Sequence, residues 1–211
     1  AADVLAADAP NTLDDYHSPT VATHVPAASD IKAAAKKLVD ANRPLLWAGG
    51  GVLFSRATEE LRELAELLAA PVFTTMQGKS AIDERHPLAL GAGSGATTGP
   101  AHEWLSTCDV MIALGSSLTR TGYAQAIPAQ ASLIQNTNNP DEIGKDEVID
   151  IGLVGDTKLT RQALIDEVKA LIGGPRDSSA VAAEIATIRA AWLDEWAPLL
   201  HSDEQPLNTY R

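Results

Sequence analysis

The chain has 211 residues, 45% of them hydrophobic, and a formal net charge of −12. That length and apolar content suffice for one sizeable core, while the negative charge, unrelieved by any local Lys/Arg cluster, argues against a nucleic-acid partner. No apolar run approaches the roughly 18 residues of a membrane span, the Ala1-Ala2-Asp3-Val4-Leu5 terminus lacks the basic stretch of a signal peptide, and the single Cys108 cannot form an internal disulfide, so a cytoplasmic chain is expected. Its first residue is not Met, which reads as a segment of something longer.

Residues 1–27 carry Pro10, Pro19 and Pro26 without sustained periodicity and read as an extended linker. From Ser29, a predicted N-cap, Ile31, Ala34, Ala35, Leu38 and Val39 follow helical spacing, and Pro44 opens a strand at 45–48. That strand breaks into Gly49-Gly50-Gly51, a turn whose missing side chains would let a ligand approach the backbone. Leu61, Leu64, Ala65 and Leu68 then form a helical face, with Glu59 and Glu60 in the dipole-favoured first turn. A strand over Pro71–Thr75, a Gly-rich loop over Gly91–Gly95, a short helix near 100–106 and a buried strand over 109–114 follow. Cys108, just before that strand, reads as a buried, inert thiol. Two more strands are predicted at 132–136 and 149–154, the last leading into a helix capped by Thr157 with Leu164, Val168 and Leu171 on one face. Apolar strands alternating with amphipathic helices predict a parallel sheet of five or six strands covered on both faces, with ligands at the strands' carboxyl ends. Beyond Gly173-Gly174-Pro175, Val181, Ile185, Ile188, Trp192 and Trp196 make a helical stripe that could pack on this sheet or on a missing neighbour.

Several catalytic signatures fail on spacing. Gly78-Lys79-Ser80 lacks the earlier glycine of a P-loop, where Phe73 stands. Gly49-Gly50-Gly51 does not extend to a dinucleotide fingerprint, whose third glycine would fall at Phe54, and Gly91–Gly95 fails in the same way. The five histidines, His17, His24, His86, His102 and His201, show no i, i+4 pair, so no metal site is predicted. Gly93-Ser94-Gly95 lacks the outer spacing of a nucleophile elbow. What remains is a set of small, polar loops at strand ends: Gly49–Gly51, Thr74–Gly78, Gly91–Gly95, Gly115–Ser117, Asn136-Thr137 and Gly155-Asp156. Any one of them is explained by tight turns alone; their recurrence favours a nucleotide-shaped crevice.

Taken together, Arg43–Gly51, Ala70–Lys79, His86-Pro87-Leu88, Cys108–Gly115 and Val154-Gly155-Asp156 are ordered and spaced as in the central domain of thiamine-diphosphate enzymes resembling the acetolactate synthase large subunit. The resemblance covers about residues 28–172 and implies an α/β, Rossmann-like three-layer sandwich with about six parallel strands. It also implies that 1–27 leads from an N-terminal pyrimidine-binding domain and that 173–211 is a helical extension toward a diphosphate-binding domain. Those flanking domains would hold thiamine diphosphate and Mg²⁺. In their place this chain has only Gly155-Asp156-Thr157 and an earlier Asn138-Asn139, which do not make the diphosphate motif.

On the same resemblance the chain carries no catalytic residue. It is expected to be inactive alone, to support a homo-oligomer, dimer or tetramer, and to belong to an enzyme that decarboxylates and ligates 2-oxo acids. Flavin-containing relatives bind FAD across these strand ends, which implies contacts from Gly49, Gly50, Gly51, Thr75, Met76, Gly91, Ala92, Gly93, Gly115, Ser116, Ser117, Arg120 and Asp156, with Arg120 on the diphosphate. The sequence departs from that pattern: Gly115-Ser116-Ser117-Leu118-Thr119-Arg120 lacks the Arg-Phe-Asp-Asp run. Thr137 stands at the acidic position after the next strand, so a carboxylate for ribose is missing. FAD, ADP, a coenzyme A moiety or an empty crevice therefore all remain open. A free-standing nucleotide-binding or assembly domain is the alternative.

Overall fold

The computed structural model describes residues 17, 23–122 and 124–210. The linker expectation for 1–16 and 18–22 lies outside the described residues, as does Arg211. Helix α1 (Ala28–Asp40) is followed by β1 (Pro44–Ala48), α2 (Gly51–Phe54), α3 (Thr58–Leu68), β2 (Val72–Thr75) and β3 (Ala89–Gly93). Then come α4 (Gly99–Thr107), β4 (Val110–Leu114), β5 (Ser132–Thr137), a 3₁₀ turn (Pro140–Glu142), β6 (Ile151–Val154), α5 (Thr157–Ile172) and α6 (Ser179–Leu200).

All six strands pair in parallel, in the order β3-β2-β1-β4-β5-β6. β1 and β4 lie at the centre and are buried at every position, which is why they read as unbroken apolar runs rather than alternating ones. Crossovers must be right-handed. The step from β1 out to β2 through α3 and the return from β3 to β4 through α4 run in opposite directions, so they put their helices on opposite faces. α1 and α5 pack with α3 on one face, and α4 packs with α6 on the other. The core is one continuous cluster that runs from Ile31 through the sheet to Ile185 of α6. Among the described residues no helix is long and apolar enough to cross a membrane.

The structure corrects several local expectations. Ser29 is not the cap of α1: Ala27 stands at that position without a side-chain bond, and Ser29 Oγ instead meets Asp30 Oδ1 at 3.3 Å. Thr157 is inside α5, whose cap is Asp156, one carboxylate oxygen accepting from Lys158 N and Leu159 N at 2.9 Å. Leu171 is half exposed, off the buried face of Leu164 and Val168. The predicted loop at Gly91–Gly95 is in its first half an edge strand. Small residues hide its period, and the ladder from β2 slips between Val72 and Phe73, so Phe73 pairs with Gly91. Gly91, at φ +100°, leaves room for the Thr98 side chain, which would sit 2.8 Å from a Cβ there.

The aromatic stripe of α6 packs on its own domain. A Cβ on Gly99 would lie 2.7 Å from Trp192, so the glycine lets α6 close onto α4. Arg43, stacked 4.0 Å over the Trp104 ring, reaches Glu184 at 2.9 Å, and Arg189 donates to the Ala89 carbonyl at the sheet edge. Cys108 is fully buried and its thiol is pushed up to about 11, chiefly by desolvation, as an inert thiol requires.

Candidate functional site

Strand order reverses between β1 and β4, and there the chains leaving the two carboxyl ends diverge to opposite faces. A cleft of about 980 Å³ opens above this switch point, at the upper end of the range for ligand pockets. Of the residues expected at the site, Gly49, Gly50, Gly51, Thr75, Met76, Gly93, Gly115, Ser116, Ser117, Arg120 and Asp156 line it. Gly91 and Ala92 do not: both are consumed in the β2–β3 ladder, two residues and one residue short of the strand's end.

The glycines have a use other than ligand access. Gly49 N donates to Leu114 O at 2.9 Å, Gly51 N to Gly115 O at 3.0 Å and Gly115 N to Asn136 O at 3.0 Å, which stitches three strand ends into one floor. A Cβ on Gly49 would lie 2.3 Å from Gly115 O, and one on Gly51 would lie 2.7 Å from Gly115 Cα. The space expected for a ligand at those two positions is thus filled by the neighbouring turn. Gly50 is the least crowded of the three, though a Cβ there would still press on Gln77 Cβ at 3.3 Å.

Polar side chains in the cleft are largely engaged with one another. Thr75 Oγ1 accepts from Gly78 N at 3.0 Å, and Ser117 Oγ shares a hydrogen with Thr119 at 2.9 Å. Arg120, expected to face a diphosphate, is gripped by both oxygens of Glu147 at 2.7 and 2.8 Å, a contact that raises its pKa. Any anion would have to take that guanidinium from Glu147. The first free amides of α5 are likewise taken, by Asp156. Asp156→Ala should therefore cost about 1 kcal/mol, read as faster amide exchange confined to the first turn of α5; unchanged exchange there would show that the cap contributes nothing.

Sequence reading expected Met76 and Asp156 but missed Phe54 at the lip and two carboxylates of the cleft, Glu142 and Glu147. Phe54, 91% exposed, and Met76 stand at its mouth. Glu142 reaches it from the 3₁₀ turn, its Oε2 accepting from Thr137 Oγ1 at 2.5 Å. The sequence signal was present in Asn139-Pro140, a cap followed by a turn-starting proline, which returns the chain to the strand end. Among the described residues no group of three His, Cys, Asp or Glu side chains is placed to hold a metal ion.

Residues 31–164, most of the sheet and its helices, match the family described as thiamine pyrophosphate enzyme, central domain. The chain belongs to that family. It is 41% identical over 158 residues to the probable acetolactate synthase large subunit of Methanococcus aeolicus, a match covering 74% of this chain and 26% of that protein. It is 34% identical over 176 residues to the probable 2-ketoarginine decarboxylase of Pseudomonas aeruginosa, covering 83% and 30%. Among solved structures, benzoylformate decarboxylase from Polynucleobacter necessarius shares the fold with a TM-score of 0.63 at 23% identity, over 82% of this chain and 32% of that one. The chain thus spans between a quarter and a third of these relatives, and the matches fall on a thiamine pyrophosphate enzyme central domain like that of acetolactate synthase.

Proposed function

We propose that this chain is the middle domain of a thiamine-diphosphate-dependent enzyme that decarboxylates and ligates 2-oxo acids. The family match across residues 31–164 carries the reading. Thiamine diphosphate and Mg²⁺ are held by domains before and after this one, and the cofactor, when bound, supplies the electron sink for the carbanion that decarboxylation leaves. The central unit runs over 28–172, the linker over 1–27 comes from the pyrimidine-binding domain, and 173–211 leads to the diphosphate-binding domain.

The domain's own work is to hold those neighbours in register, to contribute contacts in a homo-oligomer, and to bind an adenine nucleotide, FAD or ADP, in the strand-end cleft. The position of the cleft at the switch point supports the nucleotide reading. Gly50, the Ser116-Ser117 turn and Phe54 offer backbone, hydroxyl and apolar contacts to it, with Arg120 the cation that a diphosphate would recruit.

The test is to purify the parent enzyme, assay bound thiamine diphosphate, flavin absorbance and adenine nucleotide, and follow carbon dioxide release from a panel of 2-oxo acids. Thiamine-dependent release by the parent, and none by residues 1–211 alone, is the expected result. A parent that turns over no 2-oxo acid and retains no thiamine diphosphate overturns the assignment.

A further inference from the structure

The carboxylate missing from the end of β5 is replaced from five residues further on. Thr137, 4% exposed, donates its hydroxyl to Glu142 Oε2 at 2.5 Å, which engages one carboxylate oxygen and leaves the other for a ligand. The turn carrying Glu142 is fixed to the sheet on both sides. Buried Gln135 donates to Glu142 O at 3.1 Å and accepts from Gly144 N at 3.2 Å, while Asn139 N donates to Thr137 Oγ1 at 3.2 Å. The Gln135 amide also reaches Ser116 O at 3.2 Å, so the Glu142 turn and the β4 turn are set against each other at the cleft. A carboxylate held this rigidly, with one oxygen uncommitted, is matched to hydroxyl donors and mismatched to anions.

We propose that Glu142 recognises the vicinal hydroxyls of an adenosine ribose and rejects a ribose that carries a phosphate. The cleft then takes ADP or the ADP half of FAD, and excludes coenzyme A, whose ribose is phosphorylated on the 3′ oxygen. Glu147 and Asp156 add negative charge to the same cleft, and among the described residues that line it Arg120 is the one cation, to be recruited by the diphosphate, so no second lining cation offsets a further phosphate beside Glu142. This inference rests on the reading of the cleft as a nucleotide site and adds which nucleotides it admits. Thr137 is the positioning residue.

The experiment is calorimetric titration of the full chain with two matched pairs, ADP against 2′-deoxy-ADP and dephospho-coenzyme A against coenzyme A. Each preferred member should bind about tenfold more tightly, the size expected for charge-assisted hydrogen bonds. Glu142→Gln should collapse the gap in the coenzyme A pair while leaving the thermal midpoint unchanged, and Thr137→Val should narrow both gaps without abolishing binding. Equal affinity for coenzyme A and its dephospho form, or a gap between those two that survives Glu142→Gln, overturns the role of Glu142 alone. Failure of all four ligands to bind overturns the nucleotide reading and this inference with it.

Discussion

Replacing Arg161 by methionine is expected to raise the unfolding free energy by about 1–3 kcal/mol, because a buried guanidinium without hydrogen-bond partners carries a desolvation penalty that an apolar side chain does not. Arg161 is fully buried in α5, and its Nε and both Nη atoms lack hydrogen-bond partners. Desolvation lowers its pKa from the ordinary arginine value to about 10, against the opposing pull of Glu60 and Asp156. That drop corresponds to a burial cost on the order of 3 kcal/mol. The sign follows from linkage. Folding disfavours the charged form, so the cost is fully present below about pH 10 and is relieved only as pH rises from there toward the ordinary arginine value. The gain in Arg161→Met should therefore be constant between neutral pH and pH 9. Glu60 keeps its ion pair with Lys158, at 3.2 Å, in the variant. Urea denaturation of the two proteins at pH 7 and pH 9 decides it. A variant less stable than the parent would mean that the guanidinium is satisfied by water or by its carboxylate neighbours after all.

The second large effect separates two adjacent glycines. Gly49→Ala should cost about 3 kcal/mol or more, because the new methyl meets the Gly115 carbonyl at 2.3 Å and the obstacle is backbone locked between β4 and β5. Gly50→Ala should stay within about 1 kcal/mol of the parent: its backbone is already right-handed helical, at φ −60° and ψ −28°, and its nearest neighbour, Gln77 Cβ at 3.3 Å, lies in an exposed turn that need yield by only a few tenths of an ångström. If the run existed only to admit a ligand, both variants would be tolerated by the free protein and both would lose binding. Midpoints of chemical unfolding without ligand distinguish the cases; equal midpoints would refute the turn-to-turn explanation.

Legibility differed between fold and site for physical reasons that particular residues expose. The runs Leu45–Ala48 and Val110–Leu114 announced central parallel strands because burial on both faces removes any need for polar alternation. Ala89–Gly93 did not announce a strand: it sits at an edge, is built of small residues, and owes its conformation to β2. Most of the cleft's glycine and hydroxyl turns were visible as strand ends, since the switch-point rule places ligands there for any sheet of this order. Glu142 was not visible, because a hydrogen bond across five residues depends on how a turn folds back.

The sequence by itself determined the alternation of strands and helices, the parallel sheet, the buried thiol of Cys108 and, through spaced motifs, the family. Those properties follow from local periodicity and from residue types that tolerate few environments. Only the tertiary structure decided that Gly49 and Gly51 face another backbone rather than open space, that Arg120 is held by Glu147 and that Arg161 is buried without a hydrogen-bond partner. Each of these depends on which groups meet across long sequence separations, and pairwise distance in space is not encoded in the local pattern of either partner.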